Sequence, residues 1–138
     1  MKTIMIVDDS STMRSLVKMM LVRIPGVVVV EAVNGKDALL KLRVGTPALL
    51  VTDINMPEMD GLQLVEEVRK SKTKAELPII IVSTKGEEAD VAKGFNLGAN
   101  DYLPKPINGL DLAAKVKMLL DPAVRPVELR KVAYAAAR

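Results

Sequence analysis

Ala48-Leu49-Leu50-Val51-Thr52-Asp53-Ile54-Asn55-Met56-Pro57-Glu58-Met59-Asp60-Gly61 is the stretch from which the rest of the chain can be read. Residues 48–52 form a short apolar run closed by a threonine, the pattern of a strand buried on both faces of a parallel sheet. Asp53 follows at its end. Met56 to Gly61 is a turn signature, because Pro57 presets φ and Gly61 admits a positive φ. Beyond the turn, Leu62, Leu64, Val65 and Val68 recur at helical spacing. One strand, one acidic loop and one helix are thus contained in about 20 residues.

The same unit recurs on both sides. Strands are expected at Thr3–Val7, Val27–Glu31, Ala48–Thr52, Pro78–Val82 and Asp101–Pro104. A helix follows each. The first comes after Asp9-Ser10-Ser11, a cluster of good capping types, with Met13, Leu16, Val17, Met20 and Leu21 on one face. The second follows Asn34-Gly35 and carries Ala38, Leu39 and Leu42. The fourth runs from about Gly86 to Leu97 and stops at Gly98. The fifth starts near Asn108 and carries Leu112, Val116, Leu119 and Leu120. Five β-α repeats imply an α/β fold, a parallel sheet covered on both faces by helices through right-handed crossovers. Pro104 places the last strand at a sheet edge.

Composition narrows the function classes. A chain of 138 residues is expected to hold one domain with a core of its own, and almost half the residues are hydrophobic. There is no cysteine, hence no disulfide or thiolate chemistry, and no histidine, hence no phosphohistidine or imidazole base. The opening apolar run is cut short by Asp8 and Asp9, unlike a signal peptide, and no stretch approaches membrane-spanning length. A cytoplasmic protein without membrane contact is expected. The net charge is +3. Residues 122–138 hold four basic residues and one acid, so residues 1–121 are balanced at sixteen of each. With one Phe, two Tyr and no Trp there is no stacking platform for bases, and nucleic-acid binding is not expected.

In an open α/β sheet, ligands gather at the carboxyl ends of the strands. Asp8 and Asp9 follow the first strand, Asp53 and Asn55 the third, Ser83 and Thr84 the fourth, and Lys105 the fifth. Three converging carboxylates repel one another, and a hard divalent cation such as Mg²⁺, with its preference for oxygen ligands, removes that cost. Asp53 is the candidate nucleophile, since a carboxylate can take a phosphoryl group as an acyl phosphate. Lys105 would neutralise phosphoryl oxygens and the Ser83 hydroxyl would donate to one. The plainer alternative makes Asp8 and Asp9 helix caps, Asp53 a turn residue, Ser83 or Thr84 the cap of the fourth helix, and Lys105 a solvated lysine. Lys105-Pro106 is a second restricted pair, able to adopt a cis bond.

Val7-Asp8-Asp9-Ser10, the run from Asp53 to Gly61, Val82-Ser83-Thr84 and Asp101-Tyr102-Leu103-Pro104-Lys105-Pro106 together resemble the receiver domains of two-component response regulators, of the single-domain kind found in chemotaxis. The resemblance spans residues 1 to about 120. It implies a flavodoxin-like (βα)5 three-layer sandwich with strand order 2-1-3-4-5. It implies that Asp53 is the phosphoacceptor, that Asp8 and Asp9 hold Mg²⁺ with Asp53 and the Asn55 backbone carbonyl, and that Lys105 binds the phosphoryl group. Ser83 and Tyr102 become the switch pair, Tyr102 turning inward on activation, and the bond to Pro106 is expected to be cis. The implied partners are a sensor histidine kinase or a His phosphotransfer protein, and a downstream protein that reads the surface of the fourth helix, fifth strand and fifth helix. A monomer or a phosphorylation-dependent dimer is expected. The chain would catalyse only its own phosphoryl transfer and dephosphorylation, and so is not expected to be an enzyme in the ordinary sense.

The sequence departs from the family pattern at Ile107, where an aromatic is common. Either Lys85, two residues past Ser83, and Asn55, two past Asp53, tune the lifetime of the phosphorylated state, or Lys85 simply points to solvent. Residues 1–121 are read as the receiver domain. Residues 122–138, broken by Pro122 and Pro126, are read as a basic tail or linker, and a stand-alone regulator is preferred to a fragment of a larger one. An aspartyl-phosphate phosphatase would need an acid where Asn55 stands, and a dinucleotide-binding module would need glycines where Asp8 to Ser11 stand. A scaffold acting without phosphorylation is the remaining rival.

Overall fold

The computed structural model describes residues 1–121; the tail or linker expected at 122–138 lies outside the described residues. Five strands alternate with five helices in chain order: β1 Lys2–Val7, α1 Ser11–Leu21, β2 Val27–Ala32, α2 Gly35–Val44, β3 Leu49–Asp53, α3 Gly61–Arg69, β4 Ile79–Ser83, α4 Glu88–Leu97, β5 Asp101–Pro104 and α5 Gly109–Leu120. All neighbouring strands are parallel, in the order β2-β1-β3-β4-β5. This is the flavodoxin-like order that the resemblance implies, and Pro104 does lie on an edge strand, where its missing N–H costs no ladder bond.

Side chains along a strand alternate between faces, and β1 shows how this divides the core. Ile4 and Ile6 enter one apolar cluster with Val17 and Leu21 of α1 and Leu112, Val116 and Leu119 of α5. Met5 and Val7 enter the other, with Ala38 of α2 and Leu64, Val65 and Val68 of α3. β3 and β4 are buried throughout, which is why their sequences read as unbroken apolar runs. Helices on both faces make a three-layer sandwich.

The strand boundaries differ from expectation in one consequential way. β3 and β4 each start and end one residue later than their apolar runs predict, so Asp53 and Ser83 are the last residues of their strands. Both therefore stand on the sheet itself, with Asp53 opposite Val82 in the β3–β4 register. Neither Ser83 nor Thr84 caps α4. That helix begins at Glu88, after a turn through Gly86 at φ 96, and its N-cap residue Glu87 makes no side-chain capping bond. Its other end is as expected: Gly98, at φ 118, closes α4 in the left-handed conformation that glycine adopts without a steric cost.

Candidate functional site

The turn between β1 and α1 is held at several points. Asp8 N–H donates to the Ala32 carbonyl at 3.2 Å, tying the end of β1 to the end of β2. The Asp8 carboxylate accepts from Ser10 N–H at 2.9 Å. Ser10, not either aspartate, is the cap of α1, accepting from Met13 N–H at 3.2 Å. Asp8 is buried and Asp9 exposed. Capping is thus assigned to a neighbour, and the two carboxylates are left for other work.

Asp53 is 7% exposed, at the end of the central strand β3. One of its oxygens accepts from Ile54 N–H at 2.9 Å, and the other lies 3.2 Å from Lys105 Nζ. Lys105 reaches it from the loop after β5, where its own N–H donates to the Ser83 carbonyl at 2.7 Å and its bond to Pro106 is cis. Oxygens of Asp8, Asp9 and Asp53 all lie within 4.8 Å of one another.

Burial is the main cause that raises the Asp53 carboxyl above the usual carboxylate range; the Asp8 charge adds to it, and Lys105 works against it. Asp8 is likewise raised, first by burial and then by Asp9, against the Ser10 hydrogen bond and Lys105. One ammonium does not offset three carboxylates. The donor set is all oxygen, with two members buried and one open to solvent, and so suits a hard divalent cation rather than zinc or a soft metal.

Asn55 and Lys85 both lie at the surface. The Asn55 side chain is exposed, and its amide donates to Glu87, whose carboxylate also accepts from the N–H of Thr84 and, at 2.6 Å, from its hydroxyl. Burial would raise the Glu87 carboxyl, but these bonds and the Lys105 charge hold it below its ordinary value. Glu87 therefore joins the loop after β3 to the loop after β4. Lys85 is exposed and without an ion pair among the described residues, as the alternative in which it points to solvent has it. Ser83 is buried at the end of β4. Tyr102 is 40% exposed, edge-on to Phe95 at 6.2 Å between ring centroids, with Lys115 Nζ 5.1 Å above its ring.

The Pro57–Gly61 turn also differs in detail. Glu58, not a glycine, has the positive φ, at 68. Gly61 is required for closeness: a Cβ there would stand 2.0 Å from the Asp53 carbonyl oxygen. Its N–H donates to the Ile54 carbonyl at 2.7 Å, drawing α3 against the loop that follows Asp53. Asp60 and Gln63 close a reciprocal capping box at the start of α3. Neither Arg14, which donates to the Asp8 carbonyl at 2.8 Å, nor Glu87 stands out in the sequence. The only signal for Glu87 is its spacing three residues after Thr84, the interval at which a Thr and a Glu meet in a helix-start turn.

These features define a class: a doubly wound α/β domain with an acidic cation site at the carboxyl edge of its sheet, beside a lysine. The model of the response regulator receiver domain matches residues 4–117, and the chain belongs to that family. It is 41% identical over 118 residues to the chemotaxis protein CheY1 of Helicobacter pylori, covering 85% of this chain and 95% of that protein. It is 37% identical to a probable transcriptional regulator ycf27 of Pyropia yezoensis, of which it covers 46%. Among solved structures, the signal receiver domain of a signal transduction histidine kinase from Syntrophus aciditrophicus matches with a TM-score of 0.78 and 31% identity, covering 87% of this chain and 90% of that one. The protein is a CheY-like receiver domain of a response regulator. No helix among the described residues is long and apolar enough to cross a membrane.

Proposed function

We propose that this domain is a phosphorylation switch: Asp53 accepts a phosphoryl group in the presence of Mg²⁺, from a sensor histidine kinase or a His phosphotransfer protein. The observation that carries the reading is the meeting of Asp53 with Lys105 at 3.2 Å inside a cluster of three carboxylates. Asp8, Asp9, Asp53 and the Asn55 carbonyl would hold the cation. Mg²⁺, when bound, supplies positive charge for the carboxylates and the phosphoryl oxygens.

The chain's own residues do the rest. The bond from Ile54 N–H orients the Asp53 carboxylate. One of its oxygens bonds to phosphorus as the bond from phosphorus to the donor breaks, and the donor takes the electron pair. A phosphohistidine donor leaves as imidazole after gaining one proton from solvent. Lys105 passes from the carboxylate to a phosphoryl oxygen, and Ser83, at the end of the adjacent strand, donates its hydroxyl to another. Hydrolysis returns the Asp53 carboxylate and inorganic phosphate, so the domain catalyses only its own turnover.

The switch runs from Ser83 to Tyr102 on the neighbouring edge strand, whose ring lies outward against Phe95 and Lys115. Its inward rotation would reshape the surface of α4, β5 and α5, where a downstream protein or a second protomer binds. Coverage of nearly the whole length of a chemotaxis relative supports a stand-alone signalling protein working in the cytoplasm. Intact mass after incubation with acetyl phosphate and Mg²⁺ tests the chemistry. A labile single-phosphoryl adduct is expected, absent from Asp53→Asn and from a chelated sample. No adduct in the wild type would favour a scaffold that signals by contact alone.

A further inference from the structure

Of the three clustered carboxylates, Asp9 is the least supported. Asp53 is fixed by Ile54 N–H and Lys105, and Asp8 by Ser10 N–H. Asp9 is exposed, and among the described residues its carboxylate has only those of Asp8 and Asp53 near it, with no N–H or cation to fix it. Its position is therefore set by its backbone, above all by the peptide that joins it to Asp8. The carbonyl of that peptide accepts from the Arg14 guanidinium, Nη1, at 2.8 Å. Arg14 stands one turn into α1, and its N–H donates to the Ser10 carbonyl at 3.0 Å.

The guanidinium is itself held. Its Nε donates to Glu31 at 3.0 Å, and the side chain is 15% exposed. Glu31 stands on β2, opposite Ile6 of β1, with Lys18 of α1 3.9 Å from its second oxygen. The planar guanidinium thus spans from β2 to the acidic turn through two donors in a fixed fork, which a lysine cannot reproduce.

We infer that Arg14, clamped by Glu31, is a positioning residue for the cation site, holding the Asp8–Asp9 peptide so that Asp9 faces Asp8 and Asp53. The inference rests on the cation reading of the acidic cluster. It assigns to Arg14 a role through the backbone of a ligand pair, not a contact with the cation. Groups that orient metal ligands in this way typically govern affinity by about 10- to 100-fold.

Titration calorimetry with MgCl₂ on the metal-free full chain tests it, alongside the unfolding temperature of each variant without metal. Wild type, Arg14→Met, Arg14→Lys, Glu31→Gln and Val68→Ala are compared. Val68→Ala removes core packing beneath α3, away from the acidic turn, and reports what loss of stability alone does to affinity. Arg14→Met is expected to weaken Mg²⁺ binding by about tenfold or more. Arg14→Lys, which keeps the charge and serves if the Met variant does not fold, is expected to weaken it too. Glu31→Gln should have a smaller effect in the same direction. Affinity within about twofold of wild type in a folded Arg14 variant would overturn the inference, as would a loss no greater than that of Val68→Ala. Absence of binding by the wild type would instead remove the cation reading on which the inference stands.

Discussion

At the scale of single residues, Asp53 is a charge placed where it weakens the fold. It is buried beside Asp8, and burial raises its carboxyl above the ordinary range more than Lys105 lowers it. A carboxylate whose folded pKa lies above its unfolded one binds protons more readily in the folded state, so its ionisation costs stability once pH rises through the folded value. Asp53→Asn should therefore stabilise the metal-free domain at neutral pH, raising Tm by roughly 3 °C, the scale of about 1 kcal/mol in a domain of this size. The gain should shrink as pH falls and Asp53 itself becomes neutral. Thermal unfolding of the pair between pH 7.5 and the acid range, in chelator, measures this; a gain that grew on acidification would contradict the assigned cause. The sign separates a functional carboxylate from a structural one such as Asp37. There the Val33 N–H bond, with help from Lys41, outweighs burial and lowers the carboxyl, so its ionised form supports the fold. The sequence sets Asp53 at a strand end and Asp37 in the first turn of a helix, but not the direction of either shift, which lies in what surrounds each oxygen.

At the scale of elements, strand and helix types were legible because β1, β3 and β4 are buried on both faces and read as continuous apolar runs. Their ends were less so. Asp53 and Ser83 read as loop residues because polarity suggests solvent, yet both are strand residues, buried at the sheet's edge. What sequence alone does not give is how the loops are joined. Arg69, at the end of α3, donates to the carbonyls of Leu77 at 2.8 Å and Gly98 at 2.9 Å and to the Asn100 side chain at 3.0 Å. It thereby fastens the connections on both sides of β4 and α4. Burial lowers its guanidinium to about 10, still fully charged at neutral pH. Arg69→Met should leave several carbonyls unpaired and cost about 2 to 3 kcal/mol, read as a lower urea midpoint. Gly61→Ala belongs to the same scale, since the Cβ would collide with the Asp53 backbone rather than a flexible side chain. It should cost a similar amount, about 2 kcal/mol, and slow phosphoryl uptake from acetyl phosphate by displacing Asp53, whereas Arg69→Met should leave uptake near wild type in the folded protein.

At the scale of the whole molecule, the sheet order gathers Asp53 and its polar neighbours by topology alone, with no insertion needed: β3 lies at the centre, β1 on one side brings Asp8 and Asp9, and β4 and β5 on the other bring Ser83, Tyr102 and Lys105. The same order sets the β2 end of the sheet apart from the β4–β5 end. β2 and α2 lie beyond β1, away from Ser83, whereas Ser83 adjoins Thr84, whose bonds to Glu87 reach Asn55. A phosphoryl analogue at Asp53 that draws Ser83 toward it must therefore disturb the Thr84–Glu87–Asn55 contacts and, through the adjacent edge strand, Tyr102. Beryllofluoride with Mg²⁺ should change amide hydrogen exchange in the segments 84–91 and 101–109 and leave α2 unchanged. Any ligand that binds only the folded form also stabilises it, by about 1.4 kcal/mol at ten times its dissociation constant. Uniform protection across the molecule would thus mark stabilisation without a switch. A change confined to the β4-to-α5 side would require two arrangements of that side, which is the property a signalling surface needs.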